Sequence, residues 1–402
     1  MRIEPLTAPP DASVRPPGSK SITNRALVCA ALADGRSVLE GALVADDTEA
    51  MSGCLRELGA GIEVDGDRFE IDGVGDRLPE RPASLNARMS GTTARFIAPV
   101  LARGPGPYLL DGAPQLRSRP MGDAIAALRA LGAAVVEHEE PGHLPITISG
   151  PVPPGGRVTV AGDISSQFLS GLLLAGFDAD VVGPLVSQPY VELTRAVMAA
   201  FDGGPATYAV EPDASAASYF FAAAAITGGR VRVEGLGLSA LQGDVAFVDV
   251  LSAMGAQVDR DEASTTVVGD GPLHGIEADL THLSDTAPTL AVVAAFADSP
   301  TRVTGIGFIR RKETDRIAAI VTELRRCGVD AEEEPDGFVV RPSGAEVRPA
   351  RIETYDDHRM AMAFALLGLR VGGIEIADPE CVAKTFPGYW QALDSLRARA
   401  AL

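Results

Sequence analysis

The amino-acid sequence predicts an α/β fold made of six related units, three in each half of the chain. Two observations lead to this prediction. A strand-and-helix pattern recurs six times, and a second kind of helix, apolar on nearly every side, recurs between its copies. The length of 402 residues agrees with it, since two or three domains are expected at roughly 150 residues each.

The recurring pattern is a β-rich stretch that ends near a glycine, a polar segment, and an amphipathic helix that ends in a sequence like Leu-Arg-x-Leu-Gly-Ala. Successive copies are separated by 71, 71, 52, 70 and 73 residues, measured between Gly41, Gly112, Gly183, Gly235, Gly305 and Asp378. The spacing of 52 predicts a shortened third unit. Four further glycines follow predicted helices at positions where a left-handed residue is expected, namely Gly59, Gly132, Gly255 and Gly328.

The second kind of helix is predicted to be buried, because it has no polar face. Each copy opens with Ser, Asp or Thr, which are good N-capping residues. The six copies are residues 21–35, 90–104, 165–177, 215–229, 285–298 and 356–369.

The N-terminal ends of these helices carry most of the notable polar residues of the chain. Capping alone would explain the hydroxyl groups but not the cations beside them, because Lys and Arg are unfavourable at a helix N-terminus unless an anion is near. Several such ends that meet in one cleft would bind a small molecule with several negative charges. The residues are Lys20, Ser21, Arg25, Ser90, Gly91, Thr92, Arg95, Ser165, Ser166, Gln167, Asp285, Asp357, His358 and Arg359.

Composition limits the classes of function. Lys and Arg number 35 and Asp and Glu number 54, so the net charge is −19, which disfavours duplex nucleic acid and anionic membranes as partners. The chain starts without an apolar signal core, and its apolar stretches are shorter than the ~18 residues of a transmembrane helix. We therefore expect a soluble, cytoplasmic protein.

Cysteine and histidine usage indicates no metal and no disulfide scaffold. The four cysteines are too scattered for a CxxC site and too few for a disulfide framework. The histidines fit no metal-ligand spacing. We therefore expect no metal and no other cofactor.

Only three of the 35 basic residues are lysines, namely Lys20, Lys312 and Lys384. An ammonium group can lose its proton, whereas a guanidinium group stays charged. The three lysines either mark positions where the chemistry needs an amine or are survivors of compositional drift. Their placement within motifs favours the first interpretation.

Nine segments resemble, in order, motifs of the 5-enolpyruvylshikimate-3-phosphate synthase family, and all three lysines lie within them. Nine matches in one order are far more specific than any single match. The segments cover nearly the whole chain and are PGSKSITNRAL (17–27), SGTTARF (90–96), LRSRPM (116–121), SSQFLSGLL (165–173), EPDASAASYF (211–220), LQGD (241–244), KETDR (312–316), DDHRMAMAFAL (356–366) and AKTFPGYW (383–390).

The resemblance implies a two-domain, inside-out α/β barrel architecture, in which each domain has three pseudo-symmetric βαβαββ units with buried helices. Matching positions place residues 1–17 and 241–402 in one domain and 18–240 in the other, with the active site in the cleft between them. The implied enzyme is a monomer without cofactors. It transfers the enolpyruvyl group of phosphoenolpyruvate to the 5-hydroxyl of shikimate 3-phosphate, in the pathway to chorismate and the aromatic amino acids, and it is a target of glyphosate.

The resemblance also implies residue roles. Lys20, Asp285 and Glu313 match catalytic residues: Lys20 contacts both substrates, Asp285 takes the 5-hydroxyl proton, and Glu313 protonates the methylene carbon. The implied shikimate 3-phosphate site contains Lys20, Ser21, Arg25, Ser165, Ser166, Gln167, Ser187, Tyr190, Asp285 and Lys312. The implied phosphoenolpyruvate site contains Lys20, Gly91, Arg119, Gln167, Arg316, His358, Arg359 and Lys384.

Some alternatives stay open from the sequence. The sequence does not decide how Glu313 and Lys20 divide the proton transfers between them. Asp285 has the alternative role of a simple N-cap. The chain has Met89 and Ser90 where the family usually has Asn-Ala, and Phe308 where it often has Asn or His. These losses either loosen substrate binding or are compensated by Ser90, Arg310 or Arg311.

Three other functions compete with this interpretation. A UDP-N-acetylglucosamine enolpyruvyl transferase typically has a reactive cysteine near residues 113–119, where this chain has none. A related enzyme acting on a different phosphorylated cyclitol is the second alternative. A non-catalytic repeat protein is the third, and it does not explain why lysines and acids cluster at helix starts.

Overall fold

A computed structural model describes residues 1–75, 77–162, 166–342 and 347–397. The chain divides into two compact units. Unit 1 consists of Met1–Pro17 and Pro212–Leu402, and unit 2 consists of Gly18–Glu211. The second division between these units lies at 211/212, whereas the resemblance placed a domain crossing at 240/241.

The first strands of unit 1 are β1 (Arg2–Ile3) and β2 (Asp11–Val14). The helices of unit 2 are α1 (Lys20–Leu32), α2 (Asp46–Glu57), α3 (Gly91–Ala102), α4 (Pro114–Arg117), α5 (Gly122–Ala130), α6 (Ser166–Leu174) and α7 (Gln188–Ala200). Its strands are β3 (Arg36–Glu40), β4 (Gly61–Asp65), β5 (Arg68–Asp72), β6 (Ala83–Asn86), β7 (Tyr108–Asp111), β8 (Ala134–Glu137), β9 (Ile146–Ser149), β10 (Arg157–Ala161), β11 (Asp178–Val182) and β12 (Thr207–Ala209).

Unit 1 continues after residue 212. Its helices are α8 (Ala214–Thr227), α9 (Phe247–Ala253), α10 (Ala287–Ala294), α11 (Arg316–Arg326), α12 (His358–Ala365) and α13 (Tyr389–Ser395). Its remaining strands are β13 (Arg230–Glu234), β14 (Gln257–Arg260), β15 (Ser264–Val268), β16 (Glu277–Asp279), β17 (Thr301–Thr304), β18 (Asp330–Glu334), β19 (Gly337–Arg341), β20 (Arg351–Ile352) and β21 (Ile374–Ile376). Short 3-10 turns lie at Gly243–Ala246, Ser284–Thr286, Gly307–Arg311, Leu366–Leu369 and Pro379–Lys384.

Each unit contains three small sheets within its described residues, as the six-fold repeat predicts. The four-stranded sheets share one plan: a parallel pair of strands is extended by two antiparallel strands. Their orders are β12-β3-β5-β4, β6-β7-β9-β8, β14-β15-β13-β2 and β16-β17-β19-β18. The third repeat has only the parallel pair β10-β11, with Arg157 opposite Asp178, and this confirms the shortened unit that the spacing of 52 predicted.

The strands next to the two unit boundaries each pair within their own unit. Strand β2 precedes α1 in the chain and pairs with β13 of unit 1, and β12 precedes α8 and pairs with β3 of unit 2. Unit 1 therefore includes the N-terminal residues, although the rest of unit 1 follows unit 2 in the chain. These pairings agree with boundaries at 17/18 and 211/212.

The predicted buried helices form the core of each unit, and the sheets lie outside them. In unit 2, α3 is buried along its whole length, and α1 and α6 are buried over most of theirs. In unit 1, α10 and α12 are fully buried and α8 is buried up to Ile226. Such inside helices explain why the sequence shows no polar face at these positions.

Glycine supports the repeated helix ends as predicted. The residues after α2, α5, α9 and α11 all have positive φ, between +78° and +112°, and they are Gly59, Gly132, Gly255 and Gly328. A side chain is unfavourable in this left-handed conformation, so glycine ends each helix at low cost. Among the described residues, no helix is long and apolar enough to span a membrane.

Candidate functional site

The start of α1 places a lysine beside a buried carboxylate in unit 2. Ser19, and not the predicted Ser21, is the N-cap, because its hydroxyl accepts a hydrogen bond from the Ile22 N–H at 3.4 Å. Lys20 is the first helical residue, and its Nζ lies 3.4 Å from Oδ2 of Asp47. The ammonium group is thus held at a helix N-terminus, where a positive charge is favourable only with an anion near.

Arg25 lies one turn further along α1 and is almost completely buried. It donates hydrogen bonds to Oγ1 of Thr194 (2.8 Å), Oγ of Ser170 (3.3 Å), and the carbonyls of Ser21 (2.7 Å) and Tyr190 (3.1 Å). Burial lowers the pKa of Arg25 to about 10, so the group remains charged at neutral pH. These bonds use four of its five N–H groups. The guanidinium therefore connects the predicted residues Ser21 and Tyr190. At most one of its N–H groups remains for a hydrogen bond to a ligand.

The start of α3 gathers two arginines and a glutamine. Ser90 is the N-cap and accepts a bond from the Thr93 N–H at 3.2 Å, so this departure from the family pattern serves the helix itself. A β-carbon built on Gly91 would lie 2.5 Å from Nη1 of Arg95 and 2.8 Å from Cζ of Arg119. The absence of a side chain at Gly91 therefore lets both guanidinium groups lie close to the start of α3.

Gln167 at the start of α6 forms hydrogen bonds with two residues at the start of α3. Its Oε1 accepts from Nη1 of Arg95 at 3.1 Å, and its Nε2 donates to Oγ1 of Thr92 at 3.2 Å. The neighbouring Ser166 is buried, whereas Ser165 lies outside the described residues. Within unit 2 the predicted residues Gly91, Arg119 and Gln167 are thus brought together.

Ser187 and Tyr190 belong to the start of α7. Ser187 is buried at the N-cap position with φ of +54°, an unusual left-handed conformation for a residue with a side chain. The Tyr190 ring lies 5.9 Å from Cζ of Arg25. The α7 start is therefore coupled to α1 through this arginine.

In unit 1 a fully buried arginine binds three carboxylates. Nε of Arg316 lies 2.6 Å from Oδ2 of Asp357, Nη1 lies 3.1 Å from Oδ1 of Asp285, and Nη2 lies 2.6 Å from Oε2 of Glu313. Burial by itself would lower the pKa of Arg316, but the three carboxylates raise it above its usual value. Arg316 is therefore a permanent positive charge at the start of α11.

Two more cations extend this cluster. Nη2 of Arg359 lies 2.6 Å from the second oxygen of Asp285, and Nζ of Lys384 lies 3.0 Å from the second oxygen of Glu313. The charges alternate in the order Lys384, Glu313, Arg316, Asp285, Arg359. All five were predicted site residues, and the tertiary structure brings all five together.

Asp285 is not the N-cap of its helix. It lies in the 3-10 turn Ser284–Thr286, and Thr286 takes the N-cap position of α10. Both oxygens of Asp285 bind arginines, so the simple capping interpretation is wrong.

Asp357 and Asp244 are further functional candidates: Asp357 was identified from the sequence only as a polar residue at a helix start, and Asp244 was not assigned a role. Asp357 caps α12 by accepting from the Arg359 N–H at 2.9 Å while it binds Arg316. His358, the next residue, is buried with Nδ1 3.7 Å from Oδ1 of Asp357.

Burial raises the pKa of Asp244 to about 6, and the nearby Asp285 raises this pKa too. The Ser215 hydroxyl, which donates a hydrogen bond to Asp244, lowers it. Both residues lie in segments that resemble family motifs, Asp357 in DDHRM (356–360) and Asp244 in LQGD (241–244), and these motifs could have pointed to them.

Phe308 and Lys312 lie together at a 3-10 turn. Nζ of Lys312 lies 5.9 Å from the centroid of the Phe308 ring, a cation–π contact. Arg310 does not replace the missing polar side chain, because its Nη1 binds Asp315 (2.9 Å) and Glu333 (2.9 Å). The aromatic ring thus supports the lysine instead of offering a hydrogen bond.

Comparison with known proteins places the chain among enolpyruvyl transferases. The family model described as EPSP synthase (3-phosphoshikimate 1-carboxyvinyltransferase) matches residues 7–204 and 202–393. A 3-phosphoshikimate 1-carboxyvinyltransferase of Nostoc punctiforme is 45% identical, over 97% of this chain and 97% of its own length. The enzyme of Ralstonia pickettii with the same name is 43% identical, over 96% and 97%.

The fold is likewise similar to a solved structure. The EPSP synthase of Acinetobacter baumannii superposes with a TM-score of 0.82 at 28% sequence identity, covering 98% of this chain and 97% of that one. The inside-out α/β architecture expected from the sequence is thereby confirmed.

Proposed function

This chain belongs to the EPSP synthase family, and on that premise we propose that the cations of its two units bind the substrates in one active site. There the enzyme transfers the enolpyruvyl group of phosphoenolpyruvate to the 5-hydroxyl of shikimate 3-phosphate. The alternating charge cluster around Arg316 carries this proposal. It supplies three cations for a small polyanion and two carboxylates for proton transfer.

The reaction sets four chemical demands. The 5-hydroxyl loses its proton and adds to C2 of phosphoenolpyruvate while the methylene C3 gains a proton. The tetrahedral adduct then loses a proton from C3 and expels phosphate with cleavage of the C–O bond. Fixed cations lower the free energy of the bound and leaving phosphate, and positioned carboxylates or amines move the protons.

Phosphoenolpyruvate is proposed to bind the cation cluster of unit 1 and the start of α3. Arg316, Arg359 and Lys384 would face its phosphate and carboxylate, with His358 beside them. Gly91, Arg119 and Gln167 would complete the site from unit 2. Each of these unit 1 cations is held by a carboxylate in the structure, and a substrate anion would compete for the same N–H groups.

Shikimate 3-phosphate is proposed to bind mainly to unit 2. The starts of α1, α6 and α7 offer hydroxyl, amide and backbone N–H groups, which suit a phosphate. Lys312 and Asp285 of unit 1 would contact the cyclohexene ring of shikimate 3-phosphate. The proposed residues of unit 2 are Lys20, Ser21, Arg25, Ser165, Ser166, Gln167, Ser187 and Tyr190.

Three residues are proposed to move protons or stabilise charge during the reaction. Asp285 accepts the 5-hydroxyl proton, Glu313 donates to C3, and Lys20 contacts both substrates. When a substrate takes over Arg359 and Lys384, Asp285 and Glu313 each lose an ion-pair partner and become available for proton transfer. Substrate binding itself would thus activate the acid and the base.

The location and assembly of the active enzyme are also part of this proposal. The active site is proposed to lie in the cleft between units 1 and 2, in a monomer that acts in the cytoplasm. Both substrates carry several charges, so they do not cross a lipid bilayer unaided.

A coupled phosphate-release assay tests the proposed function. We expect release when shikimate 3-phosphate and phosphoenolpyruvate are both present, and none when either is left out. Unphosphorylated shikimate and UDP-N-acetylglucosamine serve as acceptor controls. Release with UDP-N-acetylglucosamine, or none with shikimate 3-phosphate from a folded sample, would overturn the proposed acceptor.

Gly91→Ala is expected to weaken phosphoenolpyruvate binding without unfolding the protein. The added methyl group would meet the guanidinium ends of Arg95 and Arg119 and no backbone atom among its nearest contacts, so these end groups move and the helix stays in place. We expect the KM for phosphoenolpyruvate to rise about 10-fold, the cost of one misplaced charge-assisted hydrogen bond, and the KM for shikimate 3-phosphate to stay constant. Inhibition by glyphosate, which we expect for the unaltered enzyme, should weaken as well.

Gly53→Ala is the matched control for this substitution. Gly53 lies inside α2, and a β-carbon there meets no atom within 4 Å. Its kinetics should match those of the unaltered enzyme. If Gly91→Ala retains full glyphosate inhibition, the role of Gly91 in the phosphoenolpyruvate pocket is wrong.

A further inference from the structure

The residues that lead into α12 have an unusual backbone. Tyr355 and Asp356 have φ of +56° and +55°, so two consecutive residues with side chains adopt the left-handed conformation. This conformation is unfavourable for residues other than glycine, and two in a row are rarer still. The surrounding structure must therefore hold the turn.

The buried carboxylate of Glu323, on α11, holds this turn through hydrogen bonds to Glu353 and Tyr355. Glu323 is completely buried, and its Oε1 accepts from the Tyr355 hydroxyl at 2.7 Å. Its Oε2 accepts from the Glu353 backbone N–H at 3.1 Å and lies 3.0 Å from Nε of Arg326. Both oxygens are thus used, and two of the three bonds go to the segment 353–355.

The turn delivers the residue that holds Arg316. Asp357 follows directly, and its N–H donates to the Thr354 carbonyl at 2.9 Å. Its carboxylate binds Arg316 through two N–H groups (2.6 and 3.3 Å) and caps α12 at the Arg359 N–H. A shift of the turn would therefore move two of the cations of the cluster.

Helix α11 connects the two ends of this arrangement. Arg316 and Glu323 are seven residues apart, two helical turns, so they project from the same face of α11. Arg316 reaches the end of the segment 353–357 and Glu323 reaches its beginning. The helix therefore sets the spacing between the buried carboxylate and the cation.

We propose that Glu323 is a positioning residue for the phosphoenolpyruvate-binding cations. It holds Tyr355 and Asp356 in the left-handed turn, and the turn places Asp357 against Arg316 and at the start of α12. Glu323 does not touch the substrate. The proposal rests on the proposed function, in which Arg316 and Arg359 bind phosphoenolpyruvate.

Kinetics of four variants test this role. Glu323→Ala should raise the KM for phosphoenolpyruvate about 10-fold to 100-fold, the range expected when hydrogen bonds to a charged group are lost. Tyr355→Phe removes one hydroxyl and should raise it about 3-fold to 10-fold. Glu323→Gln keeps an acceptor oxygen and should restore the KM to within about 3-fold of the original value. The KM for shikimate 3-phosphate should change little in all of them.

Arg326→Ala is the matched control, because it removes a half-exposed partner of the same carboxylate without touching the turn. Its KM for phosphoenolpyruvate should be unchanged. Equal increases of both KM values, or no increase for Glu323→Ala and Tyr355→Phe, would overturn the positioning role.

Crystal structures of Glu323→Ala and Arg326→Ala separate this inference from the proposed function. In Glu323→Ala we expect Tyr355 or Asp356 to leave the left-handed region and the distance from Nε of Arg316 to Oδ2 of Asp357 to lengthen from 2.6 Å. Arg326→Ala should keep both features. An unchanged turn in Glu323→Ala would contradict the inference, whatever reaction the enzyme catalyses. If Glu323→Ala does not fold, the structure of Tyr355→Phe decides the same question.

Discussion

Arg316→Ala is expected to abolish turnover and to lower the free energy of unfolding by about 3–5 kcal/mol, the cost of removing one partner from a buried ion pair. The guanidinium of Arg316 is 1% exposed and binds Asp285, Glu313 and Asp357. Without it, three carboxylates would face one another in a buried space with no central cation. Chemical denaturation measures the stability change, and the phosphate-release assay measures the loss of activity.

Arg316→Lys and Arg326→Ala are the controls for this prediction. Lysine keeps the charge but cannot donate to three carboxylates in the planar geometry of a guanidinium, so it should recover part of the stability and little of the activity. Arg326 lies on the same helix with its own side chain half exposed, and its buried partner Glu323 keeps two other hydrogen bonds, so the removal of Arg326 should cost less than the removal of Arg316. A loss for Arg316→Ala as small as that of Arg326→Ala would contradict the central role of Arg316.

Lys20→Ala and Glu313→Gln are each expected to lower kcat at least about 100-fold, the scale of a general acid–base contribution. Glu313→Gln keeps the size of the side chain but removes its ability to supply a proton and the negative charge that pairs with Arg316 and Lys384. Lys20→Ala removes an ammonium group that lies at a helix N-terminus beside Asp47. Steady-state kinetics with both substrates saturating isolates the effect on kcat.

Charge-changing substitutions in ion pairs outside the proposed catalytic set serve as controls for these two variants. Glu333→Gln alters an exposed partner of Arg310, and Arg68→Ala alters exposed ion pairs on β5. Both should keep kcat within about 2-fold of the original, as expected for exposed ion pairs. Near-normal turnover for Lys20→Ala or Glu313→Gln would remove that residue from the catalytic set.

The starts of the buried helices show how much of the candidate site could be predicted from the sequence. The apolar pattern predicted the positions of α1, α3, α6, α8, α10 and α12, and the polar residues at their N-termini indicated an anion site. The sequence placed Lys20 at a helix start but did not show that Ser19 is the cap. Cap geometry depends on one hydrogen bond between neighbouring backbone and side-chain atoms, and Ser19 and Ser21 are equally good candidates by local sequence.

The unit boundary and the role of Asp357 were beyond local patterns. Both α1 and α8 are preceded by a strand in the chain, and local sequence cannot show that β2 pairs with β13, more than 200 residues later, or that β12 pairs with β3. Asp357 looked like a simple helix cap, yet it also binds Arg316, which lies 41 residues earlier. Long-range pairings of this kind leave no periodic signal in a single sequence.

Periodicity and residue chemistry alone were sufficient for the six-fold repeat, the inside helices, the shortened third unit and the residue types of an anion site, because each follows from neighbours along the chain. The three-dimensional packing alone decided which carboxylate holds which cation, and that Glu323 supports the turn before α12. Those contacts join residues far apart in the chain, where burial and charge pairing, and not local propensity, set the free energy.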